Sequence, residues 1–162
     1  MSSFSVTRAM GVPVDATWAA LEDFGGVHRY SAGVERSPIN AGTPASGVGA
    51  ERVCHMYDGG FIEERVTSSV KNKRMEILIV TSSMPLKRAN AAFDVVSTAD
   101  GGTDVTMTMT YVMKFGPLGW LMDKLMVKRA MTRSLNGLLA ALGHHLTTGE
   151  PIGKGWKPAV AA

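Results

Sequence analysis

Cysteine is nearly absent from this chain. Cys54 stands alone, so no internal disulfide and no multi-cysteine metal site can form. Long apolar runs are missing too. None reaches bilayer-spanning length, and the start, Met1-Ser2-Ser3-Phe4-Ser5-Val6-Thr7-Arg8, lacks the apolar core of a signal peptide. These absences set the expectation of a reducing, cytoplasmic location and no integral membrane segment. Concentrated charge is also lacking. The formal net charge is +3 and the sequence pI about 9.2, yet the densest basic clusters, Lys71-Asn72-Lys73-Arg74 and Lys124 with Lys128-Arg129, are short. A solvated turn or helix face accounts for each. No aromatic-interleaved basic motif accompanies them, so nucleic acid is not an expected partner.

Motifs of cofactor and nucleophile chemistry are equally scarce. Gly153-Lys154-Gly155 has neither the spacing of a phosphate loop nor a strand before it. No Gly-x-Ser-x-Gly elbow occurs. His144-His145 and Cys54-His55 are adjacent pairs whose side chains diverge on a helix or strand, which argues against shared metal ligation. No cofactor and no metal are expected.

What the chain does have is apolar material in two periodicities. Hydrophobic residues make up 45% of 162 residues, enough for one domain with one sizeable core. Phe4, Val6, Arg8 and Met10 alternate with Ser5, Thr7 and Ala9, which predicts a first strand. Pro13 breaks it, and Asp15 is the expected N-cap of a helix running through Trp18 and Leu21 to about Phe24, ended by Gly25-Gly26. A second short helical turn carries His28 and Tyr30. After a Gly/Pro/Ser-rich loop at 40–47 come strands over 49–57, 61–70, 75–81 and 89–97. The turn signals are Asp58-Gly59-Gly60, Lys71-Asn72-Lys73, Met84-Pro85 and Asp100-Gly101-Gly102. The last strand is the plainest. Val105, Met107, Met109, Tyr111 and Met113 alternate with Thr106, Thr108, Thr110 and Val112, the pattern of a sheet with one face on a core and one in water. Gly116-Pro117 then starts a long helix to about Leu146, with Leu118, Leu121, Leu125, Leu135, Leu139, Leu142 and Leu146 at helical spacing. These five later strands fall within an expected order of strand, two short helices, six antiparallel strands and a long C-terminal helix, an α+β domain over 1–148. The tail over 149–162, rich in Gly, Pro and Ala, reads as flexible or wrapped on the surface.

Four segments, in this order and spacing, resemble the START-like superfamily, specifically its bacterial polyketide cyclase/dehydrase group. They are Val12-Pro13-Val14-Asp15-Ala16-Thr17-Trp18 with Phe24-Gly25-Gly26; Gly47-Val48-Gly49-Ala50-Glu51-Arg52; Asp58-Gly59-Gly60 with Glu64-Arg65; and Met84-Pro85. The resemblance implies a helix-grip fold, a curved sheet wrapped around the terminal helix. It also implies a cavity between them for lipids, aromatic polyketides, hormones or similar molecules. The family supplies no universal catalytic set, and fold alone does not decide function.

Strand parity assigns the cavity walls. Ile62, Glu64 and Val66 share the apolar face, where a carboxylate needs a partner. With Asp58-Gly59-Gly60 as the loop, Cys54 faces Glu64 and Arg52 lies diagonally from it, within reach on the same face. An inward Arg52–Glu64 pair is therefore expected, either fixing the core or serving as a polar anchor or acid/base group. Met75, Ile77, Ala89, Ala91, Phe93, Met107, Met109 and Tyr111 complete the expected ligand wall, with Tyr111 able to donate to a ligand oxygen. His28, Tyr30 and Trp120 are the candidates at the mouth. A binding or carrier protein for a small hydrophobic ligand fits this Met-rich wall. A cyclase or dehydratase is the alternative, with Glu64 or His28 as base and Arg52 or Tyr111 polarising a carbonyl. A third reading is a membrane- or protein-interaction module using the tail and Leu118 to Met126. Monomer and homodimer are both compatible with the sequence.

Overall fold

The computed structural model describes residues 1–122 and 126–159, except for the side chains of residues 119, 120 and 122. Its elements are β1 (Ser2–Met10), α1 (Val14–Glu22), a 3-10 helix (Phe24–Arg29), β2 (Val34–Arg36), β3 (Glu51–Met56), β4 (Phe61–Val70), β5 (Arg74–Ser82), β6 (Leu86–Ser97), β7 (Thr103–Met113), α2 (Gly116–Met122) and α3 (Lys128–Thr148). The strands form a single curved antiparallel sheet in the order β1-β7-β6-β5-β4-β3-β2. From β3 to β7 each strand pairs with its sequence neighbour through a short link, and β2 reaches its partner β3 through the long loop over 37–50. β1 pairs instead with β7, from Ser2 opposite Tyr111 to Met10 opposite Thr103. The three-residue edge strand β2 was too short for any alternation to reveal.

The alternation in β7 is physical. Val105, Met107, Met109 and Tyr111 are buried, and the intervening threonines face outward. There the hydroxyls of Thr106, Thr108 and Thr110 meet those of Thr7, Ser5 and Ser3 at 2.8, 2.8 and 3.1 Å. Such cross-strand pairs tie β1 to its neighbour on the solvent side.

Several local expectations are corrected. Pro13, not Asp15, occupies the N-cap of α1. Asp15 sits one step inside the helix, where its charge favours the positive helix end and accepts a hydrogen bond from Asn72 Nδ2 at 2.7 Å. Gly25-Gly26 does not terminate a helix but lies within the 3-10 turn. In the β3–β4 hairpin, Met56 N donates to Gly60 O at 2.8 Å, so the loop is Tyr57-Asp58-Gly59. Gly59, at φ 88°, takes the left-handed position that glycine occupies without strain. That shift sets Arg52 directly opposite Glu64 and Cys54 opposite Ile62.

The terminal helix is seen as α2 and α3, with residues 123–125, and hence Leu125, outside the described part. Leu139 and Leu142 are fully buried, whereas Leu118 and Leu121 are 63% and 47% exposed. Among the described residues α2 lies against β7, and α3 packs on β1. Gly143 permits that approach, since a Cβ there would lie 3.2 Å from Met10 Sδ. Among the described residues no helix is long and apolar enough to cross a membrane.

Candidate functional site

The inner sheet face and α3 enclose a cavity of about 440 Å³. Five neighbouring strands wall it with residues two apart: Cys54 and Met56, Ile62 and Glu64, Ile77 and Ile79, Ala91 and Phe93, Met107 and Met109. This pairing follows from the two-residue period of a strand. Met131, Leu135 and Leu138 of α3 close the other side. Ala91 leaves space where a larger side chain would meet the helix. The rim is formed by the exposed Gly33, Ser134 and Gly137 and by the half-buried Trp156. A shallower groove of about 300 Å³ on the outer sheet face, among Thr67, Arg74, Glu76 and Thr108, is lined largely by charged and hydroxyl groups.

The charged part of the cavity, among the described residues, is one cluster. Arg52 is 5% exposed. Its Nε donates to Glu64 Oε2 at 2.6 Å, and its Nη1 donates to the Phe24 carbonyl at 2.6 Å. The guanidinium also lies 4.0 Å from the centroid of the Phe24 ring, a cation–π contact. Burial opposes the Arg52 charge, but Glu64, Cys54 and Tyr30 around it together outweigh that cost, Glu64 the most, and hold the guanidinium pKa above its ordinary value. Cys54 Sγ donates to the same Glu64 oxygen at 3.5 Å. Burial, followed by the negative charge of Glu64, pushes the Cys54 thiol up to about 12. Burial pushes the Tyr30 hydroxyl up to about 12, and the charge of nearby Arg52 only partly opposes that rise. At neutral pH the cluster therefore holds one cation, one anion, a neutral thiol and a neutral phenol. A thiol so protonated is a poor nucleophile.

A family model for polyketide cyclase / dehydrase and lipid transport matches residues 1–145. The chain belongs to this family. Among solved structures, a START superfamily protein from Mycobacterium smegmatis superposes with a TM-score of 0.73 at 15% identity, over 90% of this chain and 97% of that one. Ara h 8.0201 gives a TM-score of 0.71 at 15% identity, over 91% and 98%. DynU16, from the dynemicin biosynthetic locus, gives 0.68 at 16% identity, covering 93% of this chain and 49% of that one. At these identities the likeness is one of fold. No curated protein matches the sequence.

Within this member of the polyketide cyclase/dehydrase and lipid transport family, the residues expected at the site fall into three groups. Arg52, Glu64, Ile77, Ala91, Phe93, Met107 and Met109 come together on the cavity wall. Met75, Ala89 and Tyr111 share that inner face but are sealed in the packed core beyond the cavity. Tyr111 stands edge-on to Phe4 at 6.2 Å between ring centroids. The cavity spans only part of the inner face, so alternation alone over-extends the wall. Tyr30, expected at the mouth, is instead buried beneath the ion pair. His28 is turned away from the cavity, with Nδ1 at 2.9 Å from Ser37 Oγ and 3.1 Å from the Gly25 carbonyl. The Trp120 side chain lies outside the described residues. Trp156 was not anticipated at all. It reaches the rim from the C-terminal tail, with its ring 5.3 Å from that of His144. A lone aromatic in a Gly/Pro-rich tail was the only signal for it.

Proposed function

We propose that this protein binds a small, largely apolar molecule between its sheet and α3. The observation that carries this reading is a cavity of about 440 Å³ walled by methionine, aliphatic and aromatic side chains and holding, among the described lining residues, one charged cluster. That combination is typical of ligand sites: apolar walls supply affinity, and a few fixed polar groups supply orientation. The family description, which includes lipid transport, supports the same reading. The test is titration with N-phenyl-1-naphthylamine, a neutral dye that brightens in dry surroundings. The expected result is a saturable rise at one dye per chain. A purely linear, non-saturating response would sink the proposal.

A second reading, a cyclase or dehydratase acting on a polyketide-like substrate, is favoured by one observation. The Arg52–Glu64 pair lines the cavity and is not hidden behind it, so a bound carbonyl or enolisable carbon would meet charged groups. Native mass spectrometry of the purified protein separates the two readings. A bound species recovered unchanged after incubation supports the carrier; one recovered with a water lost supports the enzyme.

A further inference from the structure

We propose that the cavity selects uncharged ligands that present a hydroxyl or N–H donor to Glu64, and turns away carboxylates built on the same apolar body. This rests on the binding reading above and specifies its ligand class. The first ground is that the guanidinium charge is already paired. Arg52 donates to Glu64 Oε2 and to the Phe24 carbonyl, each at 2.6 Å. The one cation on the cavity wall is thus already neutralised by a carboxylate at contact distance. An incoming carboxylate would leave water, meet a neutral cluster, and have to share Arg52 with Glu64. Two anions sharing one site repel, and a buried charge without its own partner is costly. Among the described cavity-lining residues no second cation stands ready to receive it.

The second ground is the open oxygen of Glu64. Both described bonds to this carboxylate, from Arg52 Nε and Cys54 Sγ, fall on Oε2. Oε1 has no partner among the described contacts. It is also not one of the sealed, unpartnered polar atoms, which are Thr17 Oγ1, Trp18 Nε1 and Asn72 Oδ1. Glu64 lines the cavity, and its side chain is 13% exposed. The free acceptor of an ionised carboxylate therefore faces the ligand space. A neutral donor completes it, and hydrogen bonds to charged groups are the stronger kind. An ether or ketone on the same skeleton offers Oε1 nothing.

Calorimetric titration of the intact protein at neutral pH with three naphthalenes tests both grounds. 2-Naphthol is neutral with a donor, 2-methoxynaphthalene is neutral without one, and 2-naphthoate is charged. We expect 2-naphthol to bind roughly tenfold or more tightly than either of the others. Methoxynaphthalene within about threefold of naphthol overturns the donor requirement, and naphthoate within about threefold overturns the exclusion of anions. Either result leaves the apolar-ligand reading standing, whereas no heat from any of the three removes both. Glu64→Gln should weaken naphthol and strengthen naphthoate, because it frees the guanidinium. That variant strands a buried cation, so Arg52→Met combined with Glu64→Leu is its companion. The double variant keeps the apolar volume and must abolish the preference for naphthol over its methyl ether. A preference that survives there places the donor contact elsewhere and overturns the assignment to Glu64.

Discussion

Cys54 and Tyr30 flank the Arg52–Glu64 pair as acids held neutral by burial. The thiol moves from 9.0 to about 12 and the phenol from 10.0 to about 12. In the unfolded chain both release their protons near the lower values. Between pH 9 and 12 the unfolded state therefore binds fewer protons than the folded one, and stability falls as pH rises through that window. Below the window both groups are neutral in both states and contribute no slope. Each group contributes at most about 1.4 kcal/mol per pH unit where its unfolded form is ionised and its folded form is not. Urea midpoints should thus drop between about pH 8 and about pH 10.5, and Cys54→Ala should reduce that drop. An identical drop in the variant would show that the thiol is not its source. At this scale the sequence was informative but incomplete. Parity alone put Arg52 and Glu64 on one inward face. Parity is blind to a register shift of two, however, and the extent of the loop depended on Gly59 adopting a positive φ, which residue type suggests but does not fix.

The C-terminal tail is the element whose role composition hid. Its Gly, Pro and Ala content reads equally as flexible or as wrapped on the surface; Ile152 is 5% exposed and its N–H donates to the Arg29 carbonyl at 2.8 Å. His145 Nδ1 lies 2.7 Å from the Glu150 carbonyl, and the Lys154 ammonium sits 5.6 Å from the Tyr57 ring centroid. These contacts run the tail from the end of α3, past the 3-10 helix, to the rim where Trp156 stands. Single anchors separated by glycines leave no period to read, which is why the helices and strands were legible and this strap was not. Ending the chain at Thr148 removes both Ile152 and Trp156. Dissociation of N-phenyl-1-naphthylamine, followed by stopped-flow dilution, should then speed up several-fold while the sheet and helices persist by circular dichroism. An unchanged rate would mean that the tail does not cover the mouth in solution.

The whole molecule divides its inner face between a packed half and a hollow half. Near β1, close approach at Gly143 lets α3 press onto the strand, and the interior is solid. Over β3 to β6 and the Met107–Met109 part of β7, the side chains facing α3, with Ala91 among them, do not fill the gap. Alternation in the sequence identified the face but could not show where packing stops, since that depends on the distance between helix and sheet. A ligand stabilises the folded chain only if it fills that hollow. Saturation at about one hundred times Kd adds about 2.7 kcal/mol. For a domain of this size that raises Tm by roughly 5–10 °C. Ala91→Trp places an indole in the hollow from the centre of the sheet. Its overpacking costs about 1–3 kcal/mol where the wall must yield, so the variant starts from a lower or similar Tm. The decisive quantity is therefore the increment on adding 2-naphthol, read by differential scanning fluorimetry. Wild type should gain and Ala91→Trp should not. Equal increments in the two proteins would place binding outside the hollow, whatever the cavity volume.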